Sequence, residues 1–332
     1  MIGNGTEITV EKLDLTDRKI LLEMDTNARL SFSQIAKKLK IGKNNVQYRV
    51  QRLVEKGVIK KFVTQASIGK LGLFAGKLYL QLSGYSKEDE DKIYEYLHNE
   101  KRISWIAKCE GRWDLLIAVY AKSMDEFIEI KKDFFKKFER FIAGYDVVFI
   151  AEAHTSQRTY LVPGRKEVSH SVKHFVSKEK ATLDEMDKKI LKTIANDAKF
   201  SYTDLARKFN LNIKTIQKRI ERLEKEGVIR GYVTFLDTKK IGYNFFKLCI
   251  YLKNYENKID SFIRYCLEQP NVLHVIESFG SWELELEIET QNIEQFYALT
   301  HEIRNRFPDI IKKTESVIIS EELKLDFLPE NF

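Results

Sequence analysis

The sequence predicts an α+β chain in which one unit occurs twice, each copy being three short helices followed by a βαββαβ module. Three observations support this. Residues 13–64 align on 183–234 without gaps at a constant offset of 170, with 19 of 52 positions identical. Within each copy, apolar residues recur at helical spacing in three short segments, which end on Gly-Val-Ile and a strand-like run. After each copy, strand and helix patterns alternate. A period of this length is too long for a solenoid, so we read an end-to-end duplication of a two-domain unit.

The first copy, 12–64, predicts helices at about 15–28, 32–39 and 43–56. Ser31 and Gln34 form a capping-box pattern, in which the hydroxyl takes a free amide and Gln34 reaches back; Ser201 and Asp204 form a weaker one. Gly57 and Gly227 suit the left-handed residue that follows a helix. "VIKKFVT" and "VIRGYVT" then read as short strands, completing a winged helix-turn-helix in 12–64 and in 183–234. In 65–152, "AGKLYLQLSG" is a strand, "KEDEDKIYEYLHNE" a helix, "RISWIAKCEGRWDLLIAVYA" two strands joined near Glu110–Arg112, "MDEFIEIKKDFFKKF" a helix and "YDVVFIAEA" a last strand. That is the ferredoxin-like order, and 235–332 repeats it. Residues 153–182, with Pro163, Gly164 and a mix of Ser, Lys and His, read as a linker with an extended start.

Hydrophobic residues make up 43% of the 332, charged residues 32%, and no run reaches the roughly 18 apolar residues of a membrane span. The N-terminus lacks the basic start and apolar core of a signal peptide. Cys109, Cys249 and Cys266, widely spaced and odd in number, fit a reducing cytoplasm rather than a disulfide or zinc framework. The net charge of +7 is unevenly placed. Residues 12–64 carry thirteen bases against five acids and 183–234 twelve against eight, whereas 65–152 carry fourteen against fifteen and 235–332 eleven against seventeen. Basic charge on the helical modules is what phosphate neutralisation requires.

The third helix of each copy is the candidate reading element. In "GKNNVQYRVQRLVEKGVI", Val46, Val50 and Leu53 centre a dry face, with Ile35, Ala36 and Leu39 on the helix before it. Lys43, Asn44, Asn45, Tyr48, Gln51 and Arg52 lie toward the wet side, and Arg49 sits on the boundary. Asn and Gln can bond adenine in pairs, and Arg can bond guanine or phosphate. A merely solvated face would look the same, and a boundary Arg could equally pair with an acid on the first helix. The copy keeps the dry face as Ile216, Ile220 and Leu223 but presents Lys214, Thr215, Lys218, Arg219, Glu221 and Arg222. The two helices therefore either read different sequences, or the second binds DNA weakly.

These residues resemble the signature of the Lrp/AsnC transcription regulators: Leu-Asp-x-x-Asp-x-x-Ile-Leu from Leu13, Ser-x-x-x-Ile-Ala from Ser31, Arg-x-x-Arg-Leu from Arg49, and Gly-Val-Ile from Gly57. The resemblance covers nearly the whole chain, twice. It implies a double-stranded DNA partner, pairing through the αβ modules, and an amino-acid effector near the turn joining the second and third strands of each module. In this chain that turn offers Gly111, Arg112 and Asp114, and its copy Gly280 and Glu283. The Gly would admit a ligand and the acid would hold its α-amino group; a tight turn packed by Trp113 and Trp282 is the plainer alternative. The fusion departs from the family's usual single unit. It suggests that the two αβ modules pair within one chain as a pseudo-dimer; pairing of like modules between chains is the competing arrangement.

Relatives on this fold also act as sirohaem decarboxylases built from unlike halves, which gives an enzymatic alternative. A ligand sensor without DNA binding is another. No catalytic residue, cofactor or metal is expected. His98, His154, His170, His174, His274 and His301 are scattered, and His170-x-x-x-His174, a helical ligand spacing, lacks supporting ligands.

Overall fold

The structure is a computed structural model that describes residues 10–164, 170–174 as backbone, 177, 179–326, 328 and 332. The first head contains α1 (Leu15–Thr26), α2 (Phe32–Leu39), α3 (Lys43–Glu55) and β1 (Ile59–Ala66). Asp14 caps α1 and Asp17 returns the bond; Ser31 and Gln34 make the same reciprocal box on α2. Gly57 is left-handed at φ 68°, which lets the chain leave α3 and enter β1. Ile20, Met24, Ile35, Val46, Val50 and Leu53 are buried together, each worth about 1.5–3 kcal/mol by transfer.

The first αβ module follows with β2 (Phe74–Leu82), α4 (Lys87–Asn99), β3 (Ile103–Gly111), β4 (Leu115–Ala121), α5 (Met124–Phe138) and β5 (Ile142–Ser156). A short strand, β6 (His170–His174), precedes the second head of α6 (Glu185–Ala195), α7 (Tyr202–Phe209), α8 (Ile213–Lys225) and β7 (Ile229–Leu236). The second module is β8 (Asn244–Leu252), α9 (Ile259–Glu268), β9 (Val272–Gly280), β10 (Leu284–Thr290), α10 (Ile293–Arg306) and β11 (Ile311–Leu325). In α7, Ser201 takes the amide of Asp204, and Asp204 accepts from the Ser201 hydroxyl rather than the backbone, so the reciprocal half of the box is missing.

The two modules share one sheet. Its eight long strands run β5-β2-β4-β3-β11-β8-β10-β9 and return to β5, all neighbours antiparallel, so the sheet closes into a barrel. The joints between halves are β3 on β11 and β5 on β9. Helices α4 and α5 cover the outer face of the first half, and α9 and α10 that of the second. Closure removes the unpaired sheet edges at which an isolated module would associate.

The heads pair as well. β1 lies antiparallel on β7 in a two-stranded ribbon, and each head clamps the other. The amide of Ala28 donates to the Tyr232 carbonyl and that of Ala198 to Phe62. The Thr64 hydroxyl reaches the Ile194 carbonyl at 2.7 Å, and Thr234 reaches Met24 at 3.0 Å. These reciprocal bonds at the sequence offset define a pseudo-twofold axis within one chain.

The expected linker is a clasp rather than a spacer. β5 extends to Ser156, and Arg158 binds Asp25 of the first head at 2.7 Å and Glu289 of the second module at 3.0 Å. Leu161 is fully buried in the core of the first head. His170 and His174 lie on strand β6, where four residues span roughly 13 Å, so their helical ligand spacing is not realised.

Candidate functional site

Helix α3 turns Lys43, Asn44, Asn45, Tyr48 and Gln51 to solvent, while Val46, Val50 and Leu53 fill the core. Tyr48 is 67% exposed, high for an aromatic ring. Helix α8 exposes Lys214, Lys218 and Glu221 and half-buries Thr215. Asn212 caps α8 by accepting from Lys214, whereas Gly42 leaves the amides at the start of α3 without a side-chain cap. Uncapped amides at a helix start suit a phosphate.

The arginines expected on the reading face are placed otherwise. Arg49 reaches Asp14 at 2.7 Å and Asp17 at 2.8 Å, and Arg52 reaches Asp17 at 2.6 Å. The second head repeats this: Arg219 binds Asp184 and Asp187, each at 2.7 Å, and Arg222 binds Asp187. The physical reason is the burial of Asp17 and Asp187, which are 1% and 0% exposed and require cations. The Asp-x-x-Asp and Arg-x-x-Arg patterns are thus two ends of one tie that fixes the third helix on the first. The amide of Asp17, helped by the Arg49 guanidinium and opposed by burial, holds the Asp14 carboxyl below its ordinary range. Asp17→Asn is expected to cost about 1.5–3 kcal/mol, the value of charged hydrogen bonds with partly exposed partners, seen as a lower urea midpoint; an unchanged midpoint would contradict the tie.

The turn expected to hold an effector is also committed elsewhere. Asp114 accepts the amide of Leu82 at 2.7 Å, and Glu283 accepts that of Leu252 at 2.8 Å, so both acids finish a neighbouring strand. Arg112 pairs with Asp146 at 3.1 Å and with Glu315. Gly111 and Gly280 have φ of 129° and 132°. A Cβ on Gly280 would lie 2.3 Å from the Val147 carbonyl oxygen, so the close approach is to the other half of the chain and not to a ligand. Gly280→Ala is expected to destabilise by about 2–4 kcal/mol, combining a left-handed backbone with a backbone clash; calorimetry showing an unshifted midpoint would refute this.

The tryptophans of the two turns meet inside the barrel. Trp113 and Trp282 are fully buried, 5.3 Å apart by ring centres, with Tyr79 at 5.1 and 4.7 Å. Beside them lies a buried ionic network that the alternating pattern of "LELEIET" could have signalled, because it places Glu285, Glu287 and Glu289 on one face of a strand. Glu285 binds Lys77 at 2.6 Å and Lys247 at 2.9 Å, and accepts from Tyr79 at 2.7 Å and Trp282 at 3.1 Å. Lys247 also binds Glu287 at 2.6 Å. Burial opposes ionisation of Glu287, but Lys247 and His274 overcome it and hold its carboxyl at about 2.

The network is asymmetric. Lys77 and Lys247 are equivalent positions, but Glu285 and Glu287 correspond to Leu116 and Ala118 at the offset of 169. Pairing two first halves would bury two lysines without an acid. Pairing two second halves would bury four acids with two lysines. Only the unlike pair is neutral, so the network selects unlike over like-with-like pairing of the modules.

His154 was not singled out by its sequence context, yet its Nε2 lies 2.6 Å from Glu277, with Glu152 nearby. No helix among the described residues is long and apolar enough to cross a membrane.

Two winged heads locked by a ribbon, above a barrel closed from two modules, define a duplicated helix-turn-helix protein. The winged helix-turn-helix DNA-binding family matches residues 13–60 and 183–230. An HTH-type transcriptional regulator of Pyrococcus horikoshii is 33% identical over 126 residues, 37% of this chain and 83% of that protein. The regulatory protein AsnC of Haemophilus influenzae is 26% identical over 146 residues, 41% of this chain and 90% of its own. The chain belongs to the Lrp/AsnC family of HTH-type transcription regulators. These relatives each correspond to one of its two units. Across the whole length, the siroheme decarboxylase NirDL has a similar fold, with a TM-score of 0.63 at 13% identity, covering 95% of this chain and 94% of that one.

Proposed function

We propose that this protein is a sequence-specific DNA-binding transcription regulator in which one polypeptide supplies both heads of the usual pair. The observation that carries this is the interlocked β1–β7 ribbon, which fixes α3 and α8 as one body while leaving their unlike polar faces open. The target is a pair of unlike half-sites near one helical turn apart, or a multiple of it. The first half-site is read by Asn44, Asn45, Tyr48 and Gln51, with Lys43 on phosphate. The second is read by Thr215 and Glu221, with Lys214 and Lys218 on phosphate. Arg49, Arg52, Arg219 and Arg222 position these helices. Three buried free cysteines accord with action in a reducing cytoplasm, where DNA is reached.

The test is binding of the full chain to a random-sequence duplex pool at two salt concentrations. Affinity is expected to fall linearly on a log–log plot, with a slope of about 0.9 per phosphate engaged. Absence of salt-dependent affinity would sink the reading.

A second reading, a tetrapyrrole-processing enzyme, draws on the fold likeness to NirDL over the whole chain. Against it stands the cavity between heads and barrel. At about 250 Å³ it is small for a macrocycle, and it carries more acids than bases where a carboxylated macrocycle needs cations. A stable Soret band on mixing with iron tetrapyrrole would favour the enzyme.

A further inference from the structure

The cavity of about 250 Å³ lies where the heads meet the barrel. β7 of the second head, Asp25 of the first head and strands of both modules contribute to it. Its walls are largely apolar, with Trp105, Tyr120, Phe235 and Phe245 supplying rings. Four carboxylic acids reach it, Asp25, Glu287, Glu289 and Glu322, against two permanent cations, Lys77 and Arg158. Both cations are already committed: Lys77 to Glu285 at 2.6 Å, and Arg158 to Asp25 and Glu289 at 2.7 and 3.0 Å. Glu287 is matched by Lys247 at 2.6 Å.

Glu322 differs from the other three. Its hydrogen bond comes from the neutral Trp105 Nε1–H at 2.9 Å, and no ion pair joins it to a cation among the described residues. Burial pushes its carboxyl up and prevails; the Trp105 bond and the charge of Lys60, which is itself paired with Asp237, pull it back, and Glu287 and Glu289 push it further up. A half-buried acid that no ion pair joins to a cation among the described residues, on the wall of an aromatic cavity, is the complement of a ligand that brings the cation.

We propose that this cavity binds a small organic cation, an ammonium group on a compact apolar body, with Glu322 facing the charge and the aromatic wall taking the body. A ligand carboxylate has no partner here, because both cavity cations are spent on protein acids. The site is therefore distinct from the strand turns at Gly111 and Gly280 in place and in ligand class. Since its walls come from the heads and from both modules, a bound cation favours one placement of heads on barrel and so shifts DNA affinity. That second step rests on the reading of the heads as DNA-binding; the binding step does not.

The full chain is titrated calorimetrically with 2-phenylethylamine, 2-phenylethanol and 3-phenylpropionate, three probes of similar body and different charge. The amine is expected to bind at least tenfold tighter than the carboxylate. Glu322→Gln, which keeps volume and an acceptor for Trp105, is expected to abolish that preference. Equal or tighter binding of the carboxylate, an undiminished preference in the Gln variant, or no binding of any probe at millimolar concentration overturns the assignment. DNA affinity is then measured with and without the amine. A severalfold shift supports the coupling; an unchanged affinity in an amine-bound chain overturns the coupling alone. A chain that binds the amine but shows no DNA affinity in either condition overturns the regulator reading and leaves the cavity assignment standing.

Discussion

Glu285→Gln is expected to lower the stability of the chain by about 3–5 kcal/mol, the cost of leaving buried charge without its partner. Glu285 is fully buried and serves two ammonium groups, a phenol and an indole at once. Glutamine keeps the volume and one acceptor, but it removes the charge and turns an amide toward lysine donors. Lys77 is left without a carboxylate, and burial already pulls its ammonium below the usual range. Urea denaturation should show a lower midpoint with an unchanged slope. A shift under about 1 kcal/mol would mean that water or relaxation already compensates these charges.

The same network sets an acid limit. The Glu287 carboxyl sits at about 2 in the folded chain against an ordinary 4.5. A carboxyl held low in the native state contributes stability that is fully present above its unfolded value and is lost as pH falls toward the folded one. Stability should therefore decline between about pH 4.5 and pH 2. Lys247→Met should flatten that decline as well as lower the plateau.

Replacing Asn44, Tyr48 and Gln51 together by alanine is expected to weaken specific DNA binding at least 100-fold, at roughly 1–3 kcal/mol for each base no longer read. These residues are exposed and lie outside the core, so the melting temperature should stay within a degree or two. Lys214→Ala with Lys218→Ala should act differently: affinity falls for all sequences, and the salt slope drops by about 1 for each phosphate no longer engaged. If the alanine triple weakened random and selected duplexes equally, α3 would be a phosphate-binding helix and not a reading one.

Much of this was legible in the sequence. The duplication, the caps at Ser31 and Ser201, the dry stripe of α3 and the βαββαβ order are local patterns, and local patterns survive in one sequence. Partner choice did not survive. Arg52 has the chemistry for guanine, but the structure gives it to Asp17, thirty-five residues away. Gly280 announces a close approach without saying to what, and the answer, the Val147 carbonyl, lies across the pseudo-twofold axis. Residues 153–182 look like a spacer because of Pro163, Gly164 and their mix of Ser, Lys and His, yet Arg158 and Leu161 are anchors whose partners are distant in sequence. The pairing of Lys77 with Glu285 was hidden for the same reason, although acids on alternate positions of an otherwise apolar strand were a readable sign of inward charge.

Under the proposed function, one chain presents two unlike reading helices as a fixed pair. Selection of duplexes from a random library by the full chain tests it most directly, repeated with the α3 triple alanine and with the α8 double alanine. The expected motif is asymmetric, with half-sites about one helical turn or a multiple apart, of which the α3 variant loses one half and the α8 variant weakens the other. A symmetric palindrome, or enrichment that ignores both sets of substitutions, would contradict it.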